Sequence, residues 1–207
     1  MRCLLCGREL GKGSLRDVMI GDDPICEACR KQWKKRKIHF LLNGIRVDSD
    51  YVYNEAFASC LIQYKESRDE ALKDTFLYEV KRKLKIRYRG YTLLMMPSST
   101  EKQKERGFSH LKRMYECIGL PIMEPFEKME NLSQKGMNKE ERKKMSSEIR
   151  LVNSHAVPEK IVLCDDTVTT GATLEGALSC LNRKEHSIRI YAVSANERWL
   201  KGRPLHR

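Results

Sequence analysis

This chain of 207 residues predicts an α/β protein: a parallel sheet with helices on both faces, preceded by a small cysteine-bearing module. Three observations predict it. From residue 56 onward, apolar runs of strand length alternate with stretches whose apolar residues recur at helical spacing. The first thirty residues lack such a period and carry two cysteine pairs of identical spacing. One apolar run ends in two aspartates and a turn of small residues that opens a helix, at the sheet edge where open parallel sheets collect ligands. Residues 1–40 are accordingly read as a module with a basic connector, and residues 41–207 as the α/β domain.

Cys3-x-x-Cys6 and Cys26-x-x-Cys29 are separated by 19 residues. Two residues between cysteines let both sulfurs of a knuckle face one ion, and two knuckles supply the tetrahedral thiolate set that zinc prefers. So small a segment, punctuated by turns such as Gly11-Lys12-Gly13, has too little apolar surface to fold unaided. Metal binding is then a condition of its folding. Four cysteines leave no open coordination position, so the predicted ion is structural. Cys60, Cys117, Cys164 and Cys180 lie in apolar stretches and read as small buried side chains. The run Arg30-Lys31-Gln32-Trp33-Lys34-Lys35-Arg36-Lys37 leads out of the module. Two readings are open for it: a platform where Trp33 stacks a base and its neighbours hold phosphates, or a solvated connector with Trp33 packed inward.

Along the rest of the chain, Ala56, Phe57, Cys60, Leu61 and Tyr64 predict one helix, and Leu72, Phe76, Leu77, Val80 and Leu84 another. Residues 91–96, before Pro97, predict a strand. Phe108, Leu111, Met114, Tyr115 and Ile118 form a helical stripe stopped by Gly119 and Pro121. Residues 131–147 are polar and charge-rich, outside any core. Residues 161–164 predict a buried strand, 173–181 a helix behind it, and 188–194 a further strand.

Composition limits the function. Lys and Arg number 40 against 28 Asp and Glu, a formal charge of +12. Such an excess suits a polyanionic partner, and equally a solvated basic surface. Single-stranded DNA is the candidate partner, with Trp33, Lys34, Lys35, Arg36, Lys83, Lys85, Arg87 and Arg89 as contacts. No apolar run is long enough to cross a bilayer, and Met1-Arg2-Cys3 does not open a signal segment. A cytoplasmic location without membrane insertion is expected.

The most informative segment is Ile161-Val162-Leu163-Cys164-Asp165-Asp166-Thr167-Val168-Thr169-Thr170-Gly171-Ala172-Thr173. Asp165 and Asp166 are acceptors suited to a ribose diol. Thr167, Thr169, Thr170, Gly171, Ala172 and Thr173 offer hydroxyls and approachable N–H groups at a helix N-terminus, where a phosphate dianion is favoured. Gly171 permits the tight turn. A plain helix cap explains one aspartate but not the whole pattern. No Gly-Lys-Thr/Ser follows, so this is not a Walker loop.

That segment resembles the phosphoribosyl pyrophosphate signature of type I phosphoribosyltransferases. With the cysteine quartet, Tyr64-Lys65, Met96-Pro97, Arg106-Gly107-Phe108-Ser109, Gln134 and Glu141-Arg142 in order, nearly the whole chain resembles the ComF family of competence proteins. The resemblance implies a DNA-uptake protein at the cytoplasmic side of the membrane, alongside the ComFA helicase-like ATPase. It also implies a pyrophosphate turn at Ser98, Ser99 and Thr100, with magnesium accompanying the pyrophosphate; Arg106 is singled out as a further contact because a guanidinium suits bidentate phosphate binding. The sequence departs from the family there, with Met-Pro-Ser-Ser for a Val-Pro-Leu-His type segment and Ser-His for Asn-Gln. Three functions stay open: a binding protein in competence, an active phosphoribosyltransferase acting on a base or similar acceptor, and a regulator whose ligand at the same site switches a partner contact. No catalytic residue is assigned; His110 and His155 are candidate bases, though a lone histidine is usually incidental.

Overall fold

The computed structural model describes residues 1–10, 23–128, 149–152 and 157–201, without the side chains of Thr100 and Lys201. The Gly11–Gly13 turn, the polar segment 131–147 with Gln134, Glu141 and Arg142, and His155 lie outside the described residues.

The cysteine module comes first and contains helix α1 (Glu27–Lys31). A hairpin follows, strands β1 (Lys35–Leu42) and β2 (Ile45–Val52), joined by Asn43-Gly44 with φ of 50° and 78°. Two residues at positive φ make the turn whose twist suits an antiparallel pair, and Asn-Gly is its preferred sequence. The basic stretch read as a connector therefore carries the first strand. In β1, Ile38, Phe40 and Leu42 turn inward while the intervening residues are exposed, the alternation of a strand with one wet face.

Helix α2 (Glu55–Lys65) is capped by Asn54, whose side chain accepts from the Phe57 N–H. The second expected helix is divided: a 3₁₀ turn (Glu70–Thr75) precedes helix α3 (Lys81–Arg87). Strand β3 (Thr92–Met95) leads to helix α4 (Thr100–Arg106), capped by Ser99, and helix α5 (His110–Tyr115), extended by a 3₁₀ turn (Glu116–Ile118). After β4 (Ile122–Met123), β5 (Phe126–Lys128) pairs antiparallel with β6 (Ile149–Leu151). The chain closes with β7 (Lys160–Val168), α6 (Ala172–Ser179), β8 (Ser187–Ala195) and a 3₁₀ segment (Glu197–Lys201).

The main sheet has the order β1-β2-β8-β7-β3-β4. Only the β1–β2 pair is antiparallel, so the sheet is mixed and mostly parallel. Residues 161–164 of β7 and 190–195 of β8 are buried without alternation, which means both faces of the central strands are covered. The cysteine module joins the same core. Cys3, Ile25, Cys29 and Trp33 are continuous with it, and Arg30 pins the junction, clasping Asp23 through Nε (3.0 Å) and Nη2 (2.6 Å) and donating to the Thr75 carbonyl (2.8 Å).

Gly171 sits at φ 89° immediately before α6, and a Cβ there would lie 3.1 Å from Leu42 Cδ1. Gly171→Ala is therefore expected to destabilise the protein by about 1–2 kcal/mol, since it adds left-handed strain to a close contact. Chemical denaturation checks this, and an unchanged midpoint would count against the stated packing.

Candidate functional site

Strand β7 delivers Asp165 and Asp166 to the carboxyl edge of the parallel sheet, and Thr169, Thr170 and Gly171 turn the chain into α6. Thr169 and Thr170 are exposed, and the Thr170 hydroxyl accepts from the Ala172 N–H at 3.3 Å. Thr167 is tied to Ser194 by their hydroxyls (2.8 Å), fixing the end of β7 against β8. Ala172 and Thr173 begin the helix.

The two aspartates are not equivalent, because neighbours on a strand point to opposite faces. Asp166 is buried, and its Oδ2 accepts from Lys65 Nζ (2.9 Å) at the end of α2 and from His110 Nε2 (2.8 Å) at the start of α5. Asp165 is half-buried; its Oδ1 accepts the Asp166 N–H, and its carbonyl accepts the Tyr115 hydroxyl, both at 2.8 Å. Burial, then the charge of Asp166, pushes the Asp165 carboxyl up to about 8. Burial also opposes ionisation of Asp166, but the Lys65 ammonium and the His110 hydrogen bond outweigh it and hold that carboxyl well below the ordinary carboxylate range. The surroundings thus favour negative charge on Asp166 over Asp165.

His110 is the hub of this network. Burial, with Lys65 and Arg106 nearby, lowers its pKa despite the Asp166 bond, so it is neutral at pH 7. A guanidinium can only donate, so Nδ1 accepts from Arg106 Nη1 (3.0 Å) and the ring proton resides on Nε2, toward Asp166. The Ser98 hydroxyl is 3.3 Å from the same Nδ1. Ser98 and His110 line a cleft of about 210 Å³ bounded also by Met95, Pro97, Glu124 and Phe126.

Two expected contacts are corrected. Arg106, read as a pyrophosphate contact, faces inward: it is buried, and its Nε donates to the Lys65 carbonyl at 2.8 Å. The last turn of α4 meets the end of α2, so this guanidinium braces the Asp166 network instead of reaching solvent. Arg106→Lys is expected to cost about 1–3 kcal/mol, because one ammonium cannot span both acceptors in a planar fork. Thermal unfolding checks it. Trp33, read as a base-stacking candidate, is core: its ring packs on Tyr51, Phe57 and Phe76 at 5.6, 4.8 and 5.6 Å, with the Arg30 guanidinium 4.7 Å from its centre. The inward alternative is the one the structure adopts.

Of the other expected pyrophosphate residues, Ser99 uses its hydroxyl to cap α4, accepting from Lys102 N at 3.4 Å, and Thr100 opens that helix. Several of the cationic candidates are paired. Lys83 meets Asp50 (2.7 Å), Arg87 meets Asp48, Lys35 meets Glu79 (3.1 Å) and Lys34 meets Glu197 (2.7 Å). Arg36, Lys85 and Arg89 are exposed.

The sulfurs of Cys3, Cys6, Cys26 and Cys29 lie within 4.8 Å of one another, with Cys3–Cys29 at 3.9 Å and Cys6–Cys26 at 3.7 Å. A tetrahedral thiolate site with bonds of about 2.3 Å has sulfur–sulfur edges of about 3.8 Å, so the donor set fits a metal ion. Burial opposes ionisation of Cys3, yet N–H groups led by that of Cys26 bring it down to about 6; burial and the other cysteines push Cys29 up. A cation is what lets all four become thiolates together.

The chain is therefore an α/β protein with a mixed, mostly parallel sheet and an N-terminal four-cysteine cluster able to hold a metal. No family model matches it. It is 28% identical over 199 residues to the "Competence protein ComFC" of Streptococcus pneumoniae (strain ATCC BAA-255 / R6), covering 84% of this chain and 90% of the relative. It is 29% identical over 213 residues to the "Competence protein ComFC" of Bacillus subtilis (strain 168), covering 88% and 89%. The chain is thus similar along most of its length to two proteins named competence protein ComFC. Among the described residues no helix is long and apolar enough to cross a membrane.

Lys65 had no role assigned from sequence. It lies 101 residues from Asp166, and nothing local in either segment pairs them.

Proposed function

We propose that this chain serves DNA uptake in competence and binds a phosphoribosyl compound such as phosphoribosyl pyrophosphate, on a type I phosphoribosyltransferase-like domain. The observation that carries the reading is the path of β7: a buried strand, Asp165 at its carboxyl edge, then the exposed Thr169-Thr170-Gly171 turn into α6. Asp165 faces the ribose hydroxyls, and the turn cups the 5-phosphate with N–H groups and the helix dipole. The pyrophosphate lies toward Ser98, with magnesium that keeps mostly water ligands. Zinc is the proposed ion of the cysteine cluster. Competence rests on the names of the two relatives, and single-stranded DNA and the ComFA ATPase are the proposed partners, the latter at the inner face of the membrane.

Calorimetric titration with phosphoribosyl pyrophosphate and magnesium tests the ligand. Saturable binding that Asp165→Ala removes is expected, and no heat at any pH from 6 to 9 would refute it. For DNA, filter binding across a salt series should give affinity that falls by about 0.7 log units per log unit of salt for each phosphate contacted. Replacing Arg36, Lys85 and Arg89 together by Ala should flatten that slope.

A second reading, transfer of phosphoribose to an acceptor, is favoured by the cleft beside Ser98 and His110. Pyrophosphate release in the presence of a panel of bases decides it.

A further inference from the structure

We infer that Trp199 and Arg198 are positioning residues of the anion turn: they fix the peptide between Thr169 and Thr170 so that its N–H faces the ligand. The inference rests on the phosphoribosyl reading of that turn. The Thr169 carbonyl accepts two hydrogen bonds from the 3₁₀ segment that follows β8, one from the Trp199 indole Nε1 at 3.1 Å and one from the Arg198 guanidinium. A peptide is planar and trans, so its C=O and N–H point in opposite directions. With the Thr169 oxygen held down on these donors, the Thr170 N–H is aimed to the other side. A rotated peptide would instead present a carbonyl, with its partial negative charge, to the phosphate.

The donors are themselves anchored. Asn196 N donates to the Val168 carbonyl at 2.9 Å, carrying the β7–β8 pairing one residue further, and the Asn196 side chain accepts from Arg198 N at 3.1 Å. Trp199 is 2% exposed and stacks on Phe40 of β1 at 4.0 Å and 14°. Leu42 and Trp199 then form the floor under Gly171, whose absent Cβ would lie 3.1 Å from one and 3.9 Å from the other. The turn is thus set from beneath by β1 and by the segment after β8, elements remote in sequence from the motif they support.

The chain has two tryptophans, which gives the test an internal control. In the ¹H–¹⁵N spectrum of the wild-type protein, phosphoribosyl pyrophosphate with magnesium should move the indole cross-peak of Trp199 and leave that of Trp33 in place. Arg198→Met, at an exposed side chain, should lower affinity with the melting temperature held. Trp199→Phe keeps the stack on Phe40 and removes the donor; combined with Arg198→Met it should weaken binding about tenfold, the scale of one lost hydrogen bond to a polarised group. If the double variant does not fold, the wild-type spectrum and Arg198→Met decide. Ligand binding with an unmoved Trp199 peak and unchanged Arg198→Met affinity overturns this inference alone. No binding to the wild type removes the site and the inference together.

Discussion

Asp166→Ala is expected to lower stability by about 3 kcal/mol at neutral pH, the scale of breaking a buried ion pair from one side. It strands Lys65 and leaves the His110 Nε2 proton, and through it Arg106, without the anion that orders them. Asp165→Asn should run the other way. The folded Asp165 carboxyl titrates near 8, above its ordinary range, so its contribution is favourable in acid and is lost as pH rises toward 8. At pH 8 a neutral amide avoids that cost, and the variant should melt about 2–4 °C above the wild type. Asp166 has the opposite sign. Its folded pKa is depressed, so its stabilisation is present above the ordinary carboxylate range and fades as pH falls through the folded value. The gap between wild type and Asp166→Ala should therefore narrow in acid. Melting curves from pH 3 to 8 separate the two. A silent Asp166→Ala would refute the network, and an Asp165→Asn variant less stable than wild type at pH 8 would refute the strained carboxyl.

Loss of the metal should reach well beyond the cysteine module. Apparent binding energies of structural four-ligand sites are on the order of 10 kcal/mol, more than the roughly 2–5 kcal/mol of a large core truncation. Here Cys3 and Cys29 are buried in continuity with Ile25 and Trp33, and Trp33 packs against β2 and α2. Cys3→Ser is expected to release the ion and expose Trp33, shifting tryptophan emission to longer wavelength. It should also lower the melting temperature of the whole chain. Metal content and fluorescence are read on the same sample. One ion per chain retained in Cys3→Ser would contradict the cluster as its site.

What was legible in the sequence follows from which interactions are local. The two cysteine pairs, the Asn54-capped α2 and the run from β7 through Gly171 into α6 are specified within short segments, and each stands near its expected place. The β1–β2 hairpin was not read, although Asn43-Gly44 between two strand-length runs is its signal. Lys35, Arg36 and Lys37 made β1 look like a connector, and residues 45–52, with Asp48 and Asp50, were given no element. In the structure those aspartates are buried beneath Arg46, Arg87 and Lys83. The stretch from Leu72 to Leu84 was read as one helix because Leu72, Phe76, Leu77, Val80 and Leu84 keep helical spacing across the point where the 3₁₀ turn ends. At the site the motif was readable and its support was not. Lys65 and His110 reach Asp166, and Trp199 reaches Thr169, across long stretches of chain, with Arg106 bracing Lys65 and His110 from behind, and such pairings are set by topology.

A structure of the protein grown with phosphoribosyl pyrophosphate and magnesium tests the central claim most directly. The account predicts the 5-phosphate over the Thr169-Thr170-Gly171 turn at the start of α6, with a ribose hydroxyl on Asp165. A turn left empty at saturating ligand, or a sugar seated elsewhere, would contradict it.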